Sequence, residues 1–151
     1  MVDFSSRFFY HIYPLGFSGA PRNHAQWRET GAGLKAIALH APRLAALGVN
    51  ALYIGPLFES SSHGYDTVDY SRVDGRLGSN EDLALLVKTF HEHGIAVVLD
   101  AVFNHSSRDF FAFADLRARK ADSPYKDWYA GVDFSRDNEH GDGFSYEGWA
   151  G

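Results

Sequence analysis

The run Leu99-Asp100-Ala101-Val102-Phe103-Asn104-His105 constrains this chain more than any other stretch. It continues the apolar residues Ile95 to Val98, which follow Gly94 and read as a buried, β-branched strand. A carboxylate, an amide and an imidazole then arrive within six positions. A buried strand that delivers polar groups at its carboxyl end is how α/β folds build the rim of a site.

The rest of the first hundred residues repeats a rhythm. Phe8 to Tyr13 reads as a first strand closed by Pro14, and Gly16 to Thr30 as a loop rich in Gly, Pro and polar residues. Leu34, Ile37, Ala38, Ala41, Leu44 and Ala45 have helical spacing, but Pro42 predicts two short helices rather than one, with Gly48 ending the second. Ala51 to Ile54 is the second strand, stopped by Gly55-Pro56, and a long polar loop is expected from there to Gly78. Ser79 or Asn80 caps the next helix, with Asp82 three positions after Ser79 in capping-box fashion. That helix buries Leu83, Leu86, Val87 and Phe90 and ends at Gly94, and Ala96 to Asp100 is the third strand. Short links before each strand and long ones after predict parallel strands with right-handed crossovers and a functional face at their carboxyl ends. From Ser106 the rhythm stops. Phe110, Phe111, Phe113 and Leu116 suggest a short amphipathic helix, followed by a Gly/Asp-rich stretch through Phe144 to Trp149. The reading is residues 1–105 as the strand–helix part and 106–151 as an excursion from it.

Bulk properties exclude several classes. With 151 residues and 45% hydrophobic content the chain carries a globular core. A net charge of −5 argues against a nucleic-acid surface. Cysteine is absent, so neither disulfides nor thiolate metal sites are available. No apolar stretch reaches membrane-span length and no signal peptide is visible, so the cytoplasm is the default location, with a removed secretion signal left open.

Three groups of residues can carry chemistry. Asp100 at the rim can orient a cation or a sugar hydroxyl, His105 can donate to a sugar oxygen, and Asn104 can offer its carbonyl oxygen to a hard cation such as calcium. The alternative is a strand end at which Asp100 bonds loop amides. In His63-Gly64-Tyr65-Asp66-Thr67, Gly64 permits an unusual turn, Tyr65 can lie flat as a platform for a pyranose face, and His63 and Asp66 can brace it. The alternative is a turn packed by Tyr65 and Tyr70. Glu59, followed by Ser60 to Ser62, reads as a solvated loop acid. No nucleophile elbow accompanies these serines, which argues against a serine hydrolase. His91 and His93 suit the end of their helix. Trp128 and Trp149 read as packing residues.

At these residues the chain resembles the α-amylase family of glycoside hydrolases, in particular its neopullulanase- and cyclomaltodextrinase-like members. Tyr10-His11-Ile12-Tyr13-Pro14 looks like that family's first strand, and Leu47 to Leu57 is similar to its second. His63 to Tyr70 looks like the loop whose tyrosine stacks on the sugar, Asp100 to His105 like the first signature region, and Phe110 to Tyr129 like the start of the B domain. The resemblance implies a partial (β/α)8 TIM barrel, its first three parallel strands and connecting helices plus the start of a B-domain excursion. It implies action on α-glucosidic bonds of α-glucans or maltooligosaccharides with retention. Tyr65 and His105 are then sugar-binding residues, Asp100 supports the nucleophile's neighbourhood, and Asn104 ligates calcium.

The family places its nucleophile in a Gly-x-Arg-x-Asp segment after the fourth strand, and no such segment occurs in this sequence. A complete barrel takes about 250 residues. Three expectations follow: a piece of an α-glucan-active enzyme, a half-barrel that self-associates through exposed sheet edges, or a non-catalytic sugar-binding module using Tyr65, His105 and Trp128. If a paired form hydrolyses glucans, the rim acids Glu59, Asp66, Asp69 and Asp100 are the candidates, since retention needs two carboxyl groups about 5 Å apart.

Overall fold

The fold is taken from a computed structural model that describes residues 5–24 and 31–148. Three strands, β1 (Phe9–Ile12), β2 (Ala51–Ile54) and β5 (Ala96–Leu99), form a parallel sheet in the order β1-β2-β5. Their register aligns His11 with Tyr53 and Val98, and Ile12 with Ile54 and Leu99. Alternation along a strand sends these two rows to opposite faces. The Ile12 row, with Leu52 and Val97, packs beneath the helices, and Leu34, Ile37, Leu52, Ile54, Leu86 and Phe90 are wholly inaccessible there.

Local chemistry explains the helices. The Pro42 ring divides α2 (Gly33–Ala38) from α3 (Ala41–Ala46), because its nitrogen has no hydrogen to donate and so it sits in the first turn. Gly48 takes φ +82° just past α3, as a helix end in left-handed conformation requires. Helix α4 (Asn80–Glu92) begins with a complete capping box: Ser79 accepts from the Asp82 N–H, and Asp82 accepts from the Ser79 N–H.

Three elements differ from expectation. Residues Pro14–Phe17 form a single helical turn, α1, at the start of what reads as loop, because Pro14 presets its first φ. Of that loop, residues 25–30 lie outside the described part, as does Trp149. The polar loop after β2 contains an antiparallel hairpin, β3 (Phe58–Ser60) and β4 (Thr67–Val73). Thr67, Val68, Tyr70 and Val73 have the branched and aromatic character that favours a pleated surface. Third, β5 is half-buried along its whole length rather than buried, because among the described strands it pairs only with β2 and leaves one edge open.

The chain after β5 builds its own packing. Helix α5 (Phe111–Arg119) and two short 3-10 turns, Lys120–Asp122 and Lys126–Trp128, lead to a small core of Phe113, Leu116 and Phe144 flanked by Tyr129, Val132 and Tyr146. The sheet is open, and no closed barrel forms among the described residues. None of the described helices is long and apolar enough to cross a membrane.

A buried ion pair fixes the hairpin to the rest. The side chain of Arg76 is fully enclosed and that of Asp74 nearly so. Arg76 Nε and Nη2 donate to the two Asp74 oxygens at 2.8 and 2.6 Å. Its remaining N–H groups donate to Ser60 Oγ at 2.8 Å, Pro21 C=O at 2.9 Å and Ser62 C=O at 2.5 Å. Burial pushes the Asp74 carboxyl up, but hydrogen bonds and charge from Arg76 outweigh it and hold Asp74 below the usual carboxylate value.

Arg76→Ala strands the Asp74 charge and is expected to lower the unfolding free energy by about 3–5 kcal/mol in urea titrations. Because the folded Asp74 is depressed, its contribution is complete above the unfolded-chain value of about 3.9 and is lost as pH falls through the lower folded value. The gap between parent and variant should therefore narrow below about pH 4.

Candidate functional site

The parallel sheet presents its downstream ends on one side, and the face away from the helices carries rings with polar tips. His11 stacks on Tyr53 with centroids 4.8 Å apart. The Tyr53 hydroxyl donates to Asp100 Oδ2 at 2.9 Å. That bond to Asp100 is the main reason the Tyr53 phenol is raised, with burial and the Asp100 charge adding to it. The other Asp100 oxygen accepts the Val102 N–H at 3.1 Å. Val102 has φ +47°, a left-handed backbone in which a β-branched residue is a true outlier, at a cost of about 1–3 kcal/mol. Asp100 therefore does what its alternative reading required, binding a loop amide, and it does so on the rim.

The Tyr65 loop is braced at several points. Gly64 is buried at φ +93°, with its backbone so close to Pro56 and Leu15 that a side chain would crowd both. Ser62 Oγ donates to Asp66 Oδ2 at 2.6 Å, and His63 Nδ1 lies 3.6 Å from Asp66 Oδ1. The same His63 nitrogen accepts the Tyr65 N–H at 3.3 Å. Tyr13 reaches over from the end of β1 to donate to the His63 C=O at 2.8 Å. The Tyr65 side chain remains 39% exposed, with its ring tilted against that of His63. Tyr65 is close enough to both Tyr13 and Tyr53 to act on them electrostatically. Burial leads the rise of the Tyr13 phenol, Arg76 opposes it, and Tyr65 and Asp66 add to it.

His105 and Asn104 face away from the Tyr65 loop's own contacts, onto a cavity. They line a cavity of about 790 Å³ together with Tyr70, Trp128, Tyr129 and Tyr146. Tyr65, His63, Asp66 and Asp100 are not among its lining residues. Trp128 is 61% exposed, standing edge-on to Phe111 and Tyr125 at the cavity's border. The opposite wall is held by Arg108, which donates to the Tyr146 hydroxyl at 2.7 Å and to Asp142 Oδ1 at 2.9 Å. Arg117 and Asn138 also donate to the Asp142 carboxylate, and the Lys120 ammonium donates to the Asp142 C=O. Burial pushes Asp142 up, and the Asn138, Arg108 and Arg117 donors overcome it and hold the carboxyl low.

Each of the remaining rim acids has a different partner. Glu59 belongs to β3 and pairs with Arg72 at 3.3 Å, so it is not a free loop acid. Asp69 accepts from the Ser71 hydroxyl and N–H, and these bonds hold it below the usual carboxylate value. Calcium takes six to eight oxygen ligands. Among the described residues no group of three or more acidic or imidazole side chains is placed to hold a metal. The exposed Asn104 directs its amide nitrogen to His105 Nδ1 at 3.4 Å.

His11, Tyr13, Tyr53 and Tyr70 escaped the sequence reading as site residues. The signal for Tyr53 and His11 was a polar tip inside an otherwise apolar strand, at positions that alternate with Ile54 and Ile12.

Residues 11–151 match the family model described as alpha amylase, catalytic domain. A cyclomaltodextrinase from Bacillus sp is 41% identical over 135 residues, which is 80% of this chain and 24% of that protein. Neopullulanase 2 from Thermoactinomyces vulgaris is 40% identical over 140 residues, 83% of this chain and 24% of that protein. The solved structure of Ttha1563 from Thermus thermophilus superposes with a TM-score of 0.73 at 38% identity, over 97% of this chain and 34% of that one. The chain thus spans about a quarter of the length of the curated relatives it matches.

Asp100→Asn removes the anionic acceptor of the Tyr53 hydroxyl. The Tyr53 phenol is expected to fall back toward the ordinary value of about 10, followed by NMR titration of ring-labelled tyrosine. A Tyr53 titration that does not move in the variant contradicts the assigned bond.

Proposed function

The chain belongs to the α-amylase catalytic-domain family, and from that premise we propose that its rim binds a glucose unit of an α-glucan or maltooligosaccharide beside an α-glucosidic bond that is hydrolysed with retention. Tyr65 offers the face of its ring to the apolar face of a pyranose, and His63 and Asp66 keep the loop in place. His105 hydrogen-bonds sugar hydroxyls from the neighbouring cavity wall. Asp100 acts as a supporting group through Tyr53 and the Val102 turn. The relatives' names point to cyclomaltodextrins and pullulan as glucans to test first.

The observation that carries this reading is the exposed Tyr65 ring, held by His63 and Tyr13 at the downstream ends of parallel strands. An aromatic side chain left open while its backbone is fixed on both sides suits stacking on a sugar. Retention requires a nucleophile and an acid/base carboxyl about 5–5.5 Å apart. Glu59, Asp66, Asp69 and Asp100 are engaged with different partners. We therefore assign binding to this chain and the two catalytic carboxyls to other segments of the family's barrel, the nucleophile's being the Gly-x-Arg-x-Asp pattern that does not occur here.

The open sheet supports a second reading, self-association. Phe8 and Tyr10 stand exposed at β1, which is an edge strand of the sheet among the described residues, and an edge strand with apolar side chains is a template for another chain. Light scattering on the eluted 151-residue chain is expected to give a mass above that of one copy. A sharp monomer peak at high concentration removes this reading.

Calorimetric titration with maltoheptaose tests the binding role. Tyr65→Ala is expected to weaken affinity about tenfold, the order of one stacked ring. An unchanged dissociation constant removes Tyr65 from the site. Release of reducing sugar from starch by this chain alone contradicts the assignment of the catalytic carboxyls to other segments.

A further inference from the structure

We propose that Tyr70 is a positioning residue for His105, acting by clamping the strained turn that carries it. The Tyr70 hydroxyl has one proton, and it faces two carbonyls of that turn: Val102 C=O at 2.9 Å and His105 C=O at 3.2 Å. The turn between them contains the left-handed Val102. Asp100 secures the entry by accepting the Val102 N–H, so the backbone of this one residue is gripped on both its N–H and its C=O. A β-branched residue at φ +47° reverts to ordinary backbone unless its surroundings over-determine it.

The ring of Tyr70 is itself fixed by three aromatic neighbours from three segments. Phe58 of β3, Phe103 of the turn and Phe110 before α5 lie at centroid distances of 6.1, 5.8 and 5.7 Å. Packing sets the ring, the ring aims the hydroxyl, and the hydroxyl holds the turn. His105 follows the turn directly and lines the same cavity as Tyr70. Ser107 adds a further anchor downstream, donating its N–H to the Thr67 C=O at 2.9 Å, so the hairpin strand that carries Tyr70 grips the loop twice. Through this arrangement the β4 strand sets where the His105 imidazole sits, although Tyr70 belongs to a different element and is itself no sugar ligand in this scheme.

Where sugar affinity is the readout, the proposal rests on the reading of His105 as a sugar-binding residue. The experiment therefore uses two readouts on the full 151-residue chain: the NMR signals of the His105 ring, assigned by their loss in His105→Gln, and the dissociation constant for maltoheptaose. Tyr70→Phe keeps the ring packing and removes the hydroxyl. It is expected to shift and broaden the His105 signals and to weaken maltoheptaose about tenfold. Adding Val102→Gly to Tyr70→Phe removes the strain that the clamp opposes, since glycine takes positive φ freely. The double variant is expected to return both readouts toward the parent. Val102→Asn, which also tolerates the left-handed region, is expected to do the same.

His105 signals that stay at the parent position in Tyr70→Phe overturn the proposal. So do signals that move and are not restored by either change at Val102, because Tyr70 then acts by packing rather than by clamping the turn. Signals that move and recover while maltoheptaose affinity stays constant, or is absent throughout, support the clamp and overturn the sugar-binding role of His105 instead.

Discussion

The guanidinium of Arg76 ties together segments that the sequence leaves far apart. It reaches Pro21 in the first loop, Ser60 in β3, Ser62 at the head of the Tyr65 loop, and Asp74 beyond β4. An enclosed charge of this kind stabilises only when every donor has an acceptor, because a lost partner leaves the full desolvation cost unopposed. Arg76 meets that condition through the planar fork that suits a carboxylate on two sides. The Tyr65 loop is thereby fixed from beneath at Ser62, from the side by Tyr13, and by Gly64 sunk between Leu15 and Pro56. A platform for a ligand needs this inequality, a rigid backbone under an open ring.

How much of this was legible in the sequence depends on whether the signal was local. Pro42 between two short helices, the Ser79–Asp82 box and Gly48 past its helix act within one or two turns of chain, and their spacing announces them. The polar strand end at Asp100 is equally local, but that His105 lines a cavity Asp100 does not reach is not written in the spacing. The β3–β4 hairpin was obscured because its turn, Ser61 to Asp66, is itself polar and long, and the strands meet with an irregular register. The Asp74–Arg76 pair looked like two more loop charges; only the folded chain removes both from water. Tyr53 and Tyr70 were hidden differently. Each sits where an aromatic residue is expected to pack, and nothing in the spacing tells where a hydroxyl 47 or 32 residues from its acceptor will point.

The two faces of the sheet explain why chemistry collects where it does. Ile12, Leu52, Ile54 and Leu99 meet aliphatic helices, and burial there is complete for the central strand. Such a face tolerates no unpaired polar atom. The opposite face carries His11 and Tyr53 and ends at Asp100, so polar groups are confined to the side where they find one another. The Tyr53–Asp100 bond runs along this second face and passes directly into the turn at Val102.

The strained turn joins the end of the sheet to the wall of the His105 cavity. On one side Asp100 accepts the Tyr53 hydroxyl at the end of the sheet. On the other side Tyr70 holds the turn from the cavity lined by His105. A relaxed backbone at Val102 would let these halves settle independently. A backbone that keeps φ +47° only while both grips hold makes the geometry of each half a condition of the other. Strain placed between a sheet end and a cavity wall thus converts two local hydrogen-bond sets into one arrangement, and the residues that sustain it, Tyr53, Asp100 and Tyr70, shape the site without lying against the same ligand.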